Sequence, residues 1–467
     1  MIFLLNDEFQ ILILKNIKTE LIFGNEILKL DLKSNYSFLN QNYNNELDNN
    51  IFNLKLDKNR SNISDVEIFL NTKNNNINTR EFKKYFNVQK SLVEDQIINI
   101  DSNFLINFSI DDKFNINKLN VNSDLNFNNL DINFKSNLVK KYLENYENKI
   151  SINDPKLSLK YSNDLINFQI GGKYSLNNKK DNFLIKFEGN ENNFEFYSLL
   201  DLDKNILNLR EIQYYKKNNL PAKLEILLNK SNKGFNLKKI IFNENQNYIL
   251  AQNLNITPNF KMQSVEEIDV NFVNTNDILN NFKIKKKSDN YNIIGNQIDG
   301  EQLVERLLKG SKKNKISKLF NNINTSLILN INKIYLEKNT YLEKFIGEFD
   351  IKENKLFLAK VDAILENNKK FFYSYRTTIK NEKITNIFID EPEPFINNYK
   401  FIKGFDEGEL KLNSIKIDNT SRSNLKITNF KIKEVPVLAK ILTLASLQGI
   451  ADLLTGEGIR FDEFEMD

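Results

Sequence analysis

The stretch Phe104-Leu105-Ile106-Asn107-Phe108-Ser109-Ile110 decides the fold class of this chain. Its even-numbered positions are all phenylalanine or isoleucine, whereas Asn107 and Ser109 stand at odd positions. Side chains of a strand point alternately to its two faces, so this pattern predicts a strand with one apolar and one wetter face. Strands of that kind are typical of antiparallel sheets.

The same alternation recurs along most of the chain, for instance at Leu157, Leu159 and Tyr161. Asparagine-rich clusters separate the strand-like segments every ~10–15 residues, as expected for turns. A phase slip at Asn128-Asn129 predicts a β-bulge, and Gly171-Gly172 predicts a hairpin turn. We therefore expect a mainly β protein whose long, twisted antiparallel sheet is a repeating meander that forms a β-groove.

Composition limits the possible functions. The chain has 467 residues, 40% hydrophobic and 27% charged, with 65 basic against 61 acidic residues and a net charge of +4. That balance is too even to favour nucleic acid as a partner. Cysteine and histidine are absent, which removes thiolate sites and the commonest general base.

No catalytic constellation stands out, so the sequence predicts a protein that is not an enzyme and needs no cofactor or metal. Five acids could chelate a hard cation, although solvated loop acids are the commoner case. They are Glu391, Glu393, Asp406, Glu407 and Glu409.

A second unusual stretch lies near the carboxyl end, where residues 436–454 predict a helical element. Pro436 suits a first helical position, and Gly456 and Gly458 suit a helix stop. Apolar residues fall on nearly every side of this helix, so we expect it to be buried against the end of the sheet. The residues expected in that contact are Leu438, Ile441, Leu442, Ala445 and Leu453.

A shorter helix is predicted near 300–309, followed by a polar, lysine-rich linker at 310–315. We therefore expect two regions, a β-meander or groove at 1–298 and a carboxyl-terminal region at 299–467.

The run from Val435 to Asp462 resembles the characteristic block in the carboxyl-terminal region of AsmA-like, YhdP-type envelope proteins. Similarity extends to Pro394–Leu410 and, more weakly, to Ile298–Gly310, so that the resemblance covers about the last third of the chain. The residues that carry the motif are Pro436, Leu438, Leu442, Ser446, Gly449, Leu453, Gly456, Gly458 and Phe461.

This resemblance implies a β-groove that conducts phospholipid between the two membranes of a diderm envelope. It implies non-enzymatic lipid handling or transport in envelope biogenesis, on the periplasmic side of the inner membrane, with acyl chains as ligands and no cofactor. The residues expected to contact lipid are Phe104, Ile106, Phe108, Leu157, Leu159 and Tyr161.

Family members usually begin with a membrane anchor and continue beyond the matching block. This sequence contains no run of ~18 uncharged apolar residues. We therefore expect the chain to be a fragment whose anchor is missing or separate.

Two other classes of function stay open at this point. The apolar faces could form an ordinary closed core, as in a structural or adhesive β-rich surface protein. A carbohydrate-active enzyme on a β scaffold would need a cleft with two carboxylates ~5–9 Å apart.

Overall fold

A computed structural model describes residues 2–4, 11–24, 27–38, 50–58, 63–80, 92–176, 179–232, 234–259, 261–301, 324–337, 339–353, 355–365, 368–398, 404–433 and 458–467. The chain forms two compact units, unit 1 at Met1–Asn245 and unit 2 at Gln246–Asp467. Strand accounts for 76% of the structure and helix for 4%, which confirms the predicted mainly β fold. Among the described residues, no helix has the length and apolar character needed to cross a membrane.

Unit 1 contains sixteen described strands, a short helix and one 3-10 turn. They are β1 (Ile2–Leu4), β2 (Ile11–Gly24), β3 (Ile27–Phe38), β4 (Ile51–Lys58), β5 (Ile63–Asn78), β6 (Ile97–Asp111), β7 (Ile116–Phe127), β8 (Asn129–Asn133), α1 (Asn137–Tyr142), β9 (Lys149–Ser162), β10 (Leu165–Leu176), β11 (Lys179–Gly189), β12 (Phe194–Asp201), β13 (Leu207–Leu209), the 3-10 turn (Arg210–Ile212), β14 (Tyr214–Lys216), β15 (Ala222–Ser231) and β16 (Gly234–Glu244).

Unit 2 contains thirteen described strands and a second short helix. They are β17 (Asn247–Ile256), β18 (Met262–Ser264), β19 (Glu267–Val273), β20 (Leu279–Lys287), β21 (Asn290–Asp299), β22 (Thr325–Glu337), β23 (Thr340–Lys352), β24 (Lys355–Ile364), β25 (Lys370–Thr377), β26 (Lys383–Ile389), α2 (Glu393–Asn398), β27 (Phe405–Ile417), β28 (Thr420–Ile432) and β29 (Ile459–Met466).

Unit 1 is an antiparallel meander, in which most strands pair with the strand before and the strand after them. At the predicted bulge, Asn128-Asn129, the structure has a break between two strands without the extra residue of a bulge, because the register with β9 is the same on both sides of the break. β7 and β8 pair with successive parts of β9, and Asn128 interrupts the ladder between them. The small ribbon β13–β14 is inserted between β12 and β15, which pair directly with each other. The strands of this meander are therefore long, and most of the segments inserted between them lie at the same end of the strands.

Unit 2 is also largely antiparallel, but one pairing departs from the prediction. β21 and β22 run parallel, from Asn290 opposite Ser326 to Asp299 opposite Tyr335. The predicted regional boundary at 298/299 falls at the end of β21, inside unit 2, whereas the two compact units divide after Asn245. The assignment of 299–467 as a separate family region stays a prediction.

The predicted hairpin turn at Gly171-Gly172 is wrong, because both glycines lie inside β10. β9 has a register shift opposite them, where Asp154 adopts a left-handed φ of 46°. A Cβ on Gly172 would lie 2.9 Å from the Cα of Pro155. Glycine is needed there for close backbone approach at a bulge, which is a different use from a turn.

Both predicted helices lie outside the described residues, apart from Gly300 and Glu301 at the start of the first. The residues 436–454 and their expected burial are therefore not described by the structure. Curvature of the sheet into a groove also stays a prediction.

Candidate functional site: an apolar band on unit 1

One face of unit 1 carries large apolar side chains in register on nine of ten neighbouring strands, with a serine on the tenth. We call this row and its flanking apolar rows the apolar band. In strand order from β4 to β16 the central row is Phe52, Leu70, Phe104, Ser123, Leu159, Phe168, Phe187, Phe196, Leu228 and Leu237. Neighbouring strands lie ~4.8 Å apart, so this row extends over roughly 40 Å of sheet.

The structure brings all six predicted lipid-contact residues onto this one face. Phe104 is opposite Ser123, which is opposite Leu159. In the next row Ile106 is opposite Val121, which is opposite Tyr161.

The two remaining predicted residues share the same face. Phe108 is opposite Val66 on β5, and Leu157 is opposite Leu125 on β7. Residues directly opposite one another in a sheet project to the same side, so β6 and β9 contribute to a single surface.

The band is only partly shielded from solvent. All nine apolar side chains of the central row are half-buried, whereas Ser123 between them is buried. Phe168 and Phe187 stack with their ring centroids 5.4 Å apart, and Phe187 lies 5.0 Å from Phe194. In-plane neighbours and stacking therefore account for part of the burial of these rings, and their outer surfaces stay accessible.

The opposite face of the same strands carries ion pairs and polar side chains, together with a few apolar pairs such as Phe69 with Leu105. Lys55 Nζ lies 2.8 Å from Glu67 Oε1, and Lys239 Nζ lies 2.9 Å from Glu225 Oε2. Asn107, at the odd parity of β6, is opposite Glu67. These pairs are largely exposed and add little stability, but they mark this side as the wetter one.

A cap covers one edge of the band, formed by residues 134–148 and 202–221. Tyr146, with Val139 and Leu143, packs against Ile152 and Ile170 of the sheet. The two cap segments join through a backbone bridge, Leu143 to Leu207. The periodicity of the sequence does not predict the cap, because the residues that contact one another in it are distant in sequence. The one local sequence signal in the cap is Ser136, a residue type that favours a helix start. Its side chain caps α1 by accepting a hydrogen bond from the Val139 N–H at 3.2 Å.

A buried polar cluster fixes the second cap segment. Asp181 accepts hydrogen bonds from the Lys204 N–H at 2.9 Å and the Asn205 side-chain amide at 2.7 Å. Lys216 Nζ donates to the carbonyl oxygens of Asn205 and Lys217, each at 3.0 Å. Burial raises the pKa of the Asp181 carboxyl and lowers the pKa of the Lys216 ammonium. These hydrogen bonds pair the buried backbone groups of the second cap segment, which explains why charged side chains are buried here.

Two residues of the predicted family motif lie in the described part of unit 2. Gly458 has a left-handed φ of 88°, and a Cβ there would lie 2.9 Å from the Ile432 carbonyl oxygen. Phe461 stacks on Phe430 at 5.1 Å, and Phe430 stacks on Phe405 at 5.4 Å. The other motif residues, Pro436, Leu438, Leu442, Ser446, Gly449, Leu453 and Gly456, lie outside the described residues.

Three of the five acids considered as cation ligands, Asp406, Glu407 and Glu409, form ion pairs with lysine side chains. Asp406 pairs with Lys433 at 2.8 Å, and Glu407 pairs with Lys431 at 2.7 Å. Burial, together with a hydrogen bond to Asp406, raises the pKa of Glu393. Within the described residues, no group of three or more acidic, His or Cys side chains is arranged to hold a metal ion.

The apolar band is thus a continuous and chemically distinct surface on the described part of unit 1. Comparison with protein-family models, with curated proteins and with solved structures found no match to this chain.

Proposed function

We propose that unit 1 binds the acyl chains of phospholipids along the apolar band, without catalysing a reaction. The observation that supports this proposal is the row of nine half-buried phenylalanine and leucine side chains that spans ten strands. Proteins rarely leave so large an apolar surface in contact with water, and burial is worth ~25 cal/mol per Å² of apolar area. An acyl chain is flexible and apolar throughout, which suits a surface lined by hydrocarbon with few polar groups.

The resemblance to AsmA-like, YhdP-type proteins gives this binding a proposed setting. In that setting the chain handles or transports phospholipid between membranes during envelope biogenesis, on the periplasmic side of the inner membrane.

A photo-crosslinking amino acid at Phe104 or Phe108 tests the proposal, with the same probe at Asn107 as the matched control. Both phenylalanines lie on the band, whereas Asn107 is on the opposite face of the same strand. We expect lipid adducts at Phe104 and Phe108 but none at Asn107, as measured by mass spectrometry of the purified chain. A folded chain with no adduct at either phenylalanine would contradict lipid binding on this face.

A competing proposal is a structural or adhesive protein with a closed core, and one observation in unit 2 favours it. There Ile331 is 0% exposed, and Leu342, Val361 and Ile389 are also buried in one cluster. That cluster is better covered than the band of unit 1. Absence of adducts together with absence of co-purifying lipid would favour this second proposal.

A further inference from the structure

Three polar side chains are buried together at the second cap segment, and the proposed lipid binding does not use them. Lys216 is 0% exposed, Asn205 is 1% exposed and Asp181 is 5% exposed. Asn205 precedes β13, Lys216 is the last residue of β14 and Asp181 lies on β11. The fold therefore brings an amine, a primary amide and a carboxyl group to one place away from solvent.

Lys216 is buried against neutral oxygens. Its Nζ lies 3.0 Å from the carbonyl oxygens of Asn205 and Lys217 and 3.3 Å from that of Asp203. None of these three contacts is to a carboxylate. Burial without an opposite charge in contact penalises the ammonium form and lowers the pKa of Lys216. The neutral amine that burial favours has a lone pair and is a nucleophile.

The side-chain amide of Asn205 is held through its nitrogen. Nδ2 donates hydrogen bonds to Asp181 Oδ2 at 2.7 Å and to the Tyr174 hydroxyl at 3.3 Å. Oδ1 is buried and has no hydrogen-bond partner among the described residues. The main-chain oxygen that Lys216 Nζ contacts belongs to this same asparagine, so the amine and the amide carbon Cγ are neighbours. Two groups held next to each other react far faster than the same groups free in solution.

The carboxyl group of Asp181 lies at the amide nitrogen of Asn205. The Lys204 N–H donates to the same Asp181 oxygen at 2.9 Å, which fixes the carboxyl in place. Burial raises the pKa of Asp181 and so favours its protonated form. A protonated carboxyl at this position is a general acid for a leaving nitrogen.

We propose that Lys216 and Asn205 become joined by an amide bond within the folded chain, with Asp181 as the catalytic acid and base. Nζ of the neutral amine forms a bond to Cγ of Asn205, and the bond between Cγ and Nδ2 breaks. Asp181 gives its proton to Nδ2, which leaves as ammonia, and the resulting carboxylate takes a proton from Nζ. One amine and one primary amide become one secondary amide and one ammonia, so the reaction needs no second substrate.

The bond closes a loop over residues 205–216, which contains β13, the 3-10 turn and β14. These elements belong to the second cap segment, so the bond fixes this part of the cap covalently. The crosslink is independent of the proposed lipid binding, because it lies in the cap and not on the apolar band.

The mass of the intact, folded chain tests the proposal. Loss of one ammonia should lower the mass by about 17 Da relative to the mass of the sequence. Trypsin cleaves after a lysine only when its side chain is free, so cleavage after Lys216 should also be lost. The digest should then contain a branched peptide that joins residues 205–210 to residues 211–217.

Three variants identify the groups that react. Lys216→Arg keeps the positive charge but cannot form the bond, so this variant should have the full mass of its sequence. Lys217→Arg is the matched control, because it replaces the neighbouring exposed lysine and should keep the loss of about 17 Da. Asp181→Asn removes the acid and base, and the loss of ammonia after refolding should slow by ~100-fold or more.

A native chain that is folded by circular dichroism but has its full mass would overturn the proposal. A loss of ammonia that persists in Lys216→Arg would also overturn it, because an asparagine would then have closed a ring on its own backbone. If Lys216→Arg does not fold, the branched peptide of the native chain decides, and a digest with normal cleavage after Lys216 would refute the crosslink. Lipid adducts at Phe104 are a separate result that none of these outcomes changes.

Discussion

At the scale of single residues, asparagine replaces glycine as the residue that turns this chain. Among the described residues, ten asparagines and four aspartates have a positive φ. Asn163 and Asp164, with φ of 49° and 62°, form the two-residue turn between β9 and β10. These side chains tolerate the left-handed region better than other non-glycine residues. A chain with only 14 glycines can therefore contain many tight hairpins.

Asp181 provides a pH-dependent prediction at the same scale. Burial raises its pKa above the ordinary value of 3.8, so the folded chain holds this proton more tightly than the unfolded chain does. The stability that follows is fully present below pH ~4 and is lost as pH rises through the raised folded pKa. Asp181→Asn cannot titrate. The unfolding free energy of the native chain should therefore decrease relative to that of the variant as pH increases.

Chemical unfolding of both proteins at a series of pH values from ~3.5 to ~7 measures this difference. A difference that stays constant across the series would contradict the assigned burial of the carboxyl.

At the scale of secondary-structure elements, a stack of three phenylalanines joins the last three described strands. Phe405, Phe430 and Phe461 come from β27, β28 and β29, and their rings are within 12° of parallel in each contact. Phe430 is the central ring and is 3% exposed. The stack therefore attaches β29 to the rest of unit 2 through its middle member.

Phe430→Ala should destabilise unit 2 by ~3–5 kcal/mol, because a buried phenylalanine leaves a cavity that the sheet cannot fill. Phe464→Ala on β29 is the control, since Phe464 is 43% exposed and should lose less than ~1 kcal/mol. Denaturant unfolding measures both variants. Equal effects of the two substitutions would show that the stack does not carry the stability of this end.

The sequence was informative about these elements wherever the signal was local. Alternation at Phe104–Ile110 predicted the strand and its face, and the phase slip at Asn128-Asn129 marked the place where β7 ends and β8 begins, although no bulge is found there. The cap could not be predicted, because Tyr146 packs on residues of β9, β10 and β11 that only the tertiary fold brings together. Gly172 was misread for the same reason, since its requirement is set by Pro155 on the neighbouring strand.

At the scale of the whole molecule, the residues chosen as lipid contacts form part of a much longer surface. Their parity was evident from the sequence, but the register that aligns Phe104 with Leu159 through Ser123 was not. Register depends on turn lengths and bulges along the entire meander. The extent of the band over ten strands is therefore a property of the fold.

A charge placed in the middle of the band should interrupt it. Leu159→Lys would put an ammonium group between apolar neighbours, whereas Ser158→Lys puts the same group on the exposed opposite face. We expect Leu159→Lys to slow phospholipid transfer between vesicles by ~10-fold or more, equivalent to ~1.4 kcal/mol, and Ser158→Lys to leave it unchanged. Transfer of a fluorescent phospholipid measures the rate. Equal rates for both variants would argue against the band as the path.

The parallel pairing of β21 with β22 also has a consequence for the order in which unit 2 folds. Adjacent hairpins close short loops, but this pair must bring together strands separated by residues 300–324. Closing a loop of ~25 residues costs about 2 kcal/mol more entropy than closing a two-residue turn. β17–β21 and β22–β29 can therefore each assemble by local zipping, and their parallel junction should form last. During synthesis from the amino terminus, β21 can form its parallel pairing only after β22 has been synthesised.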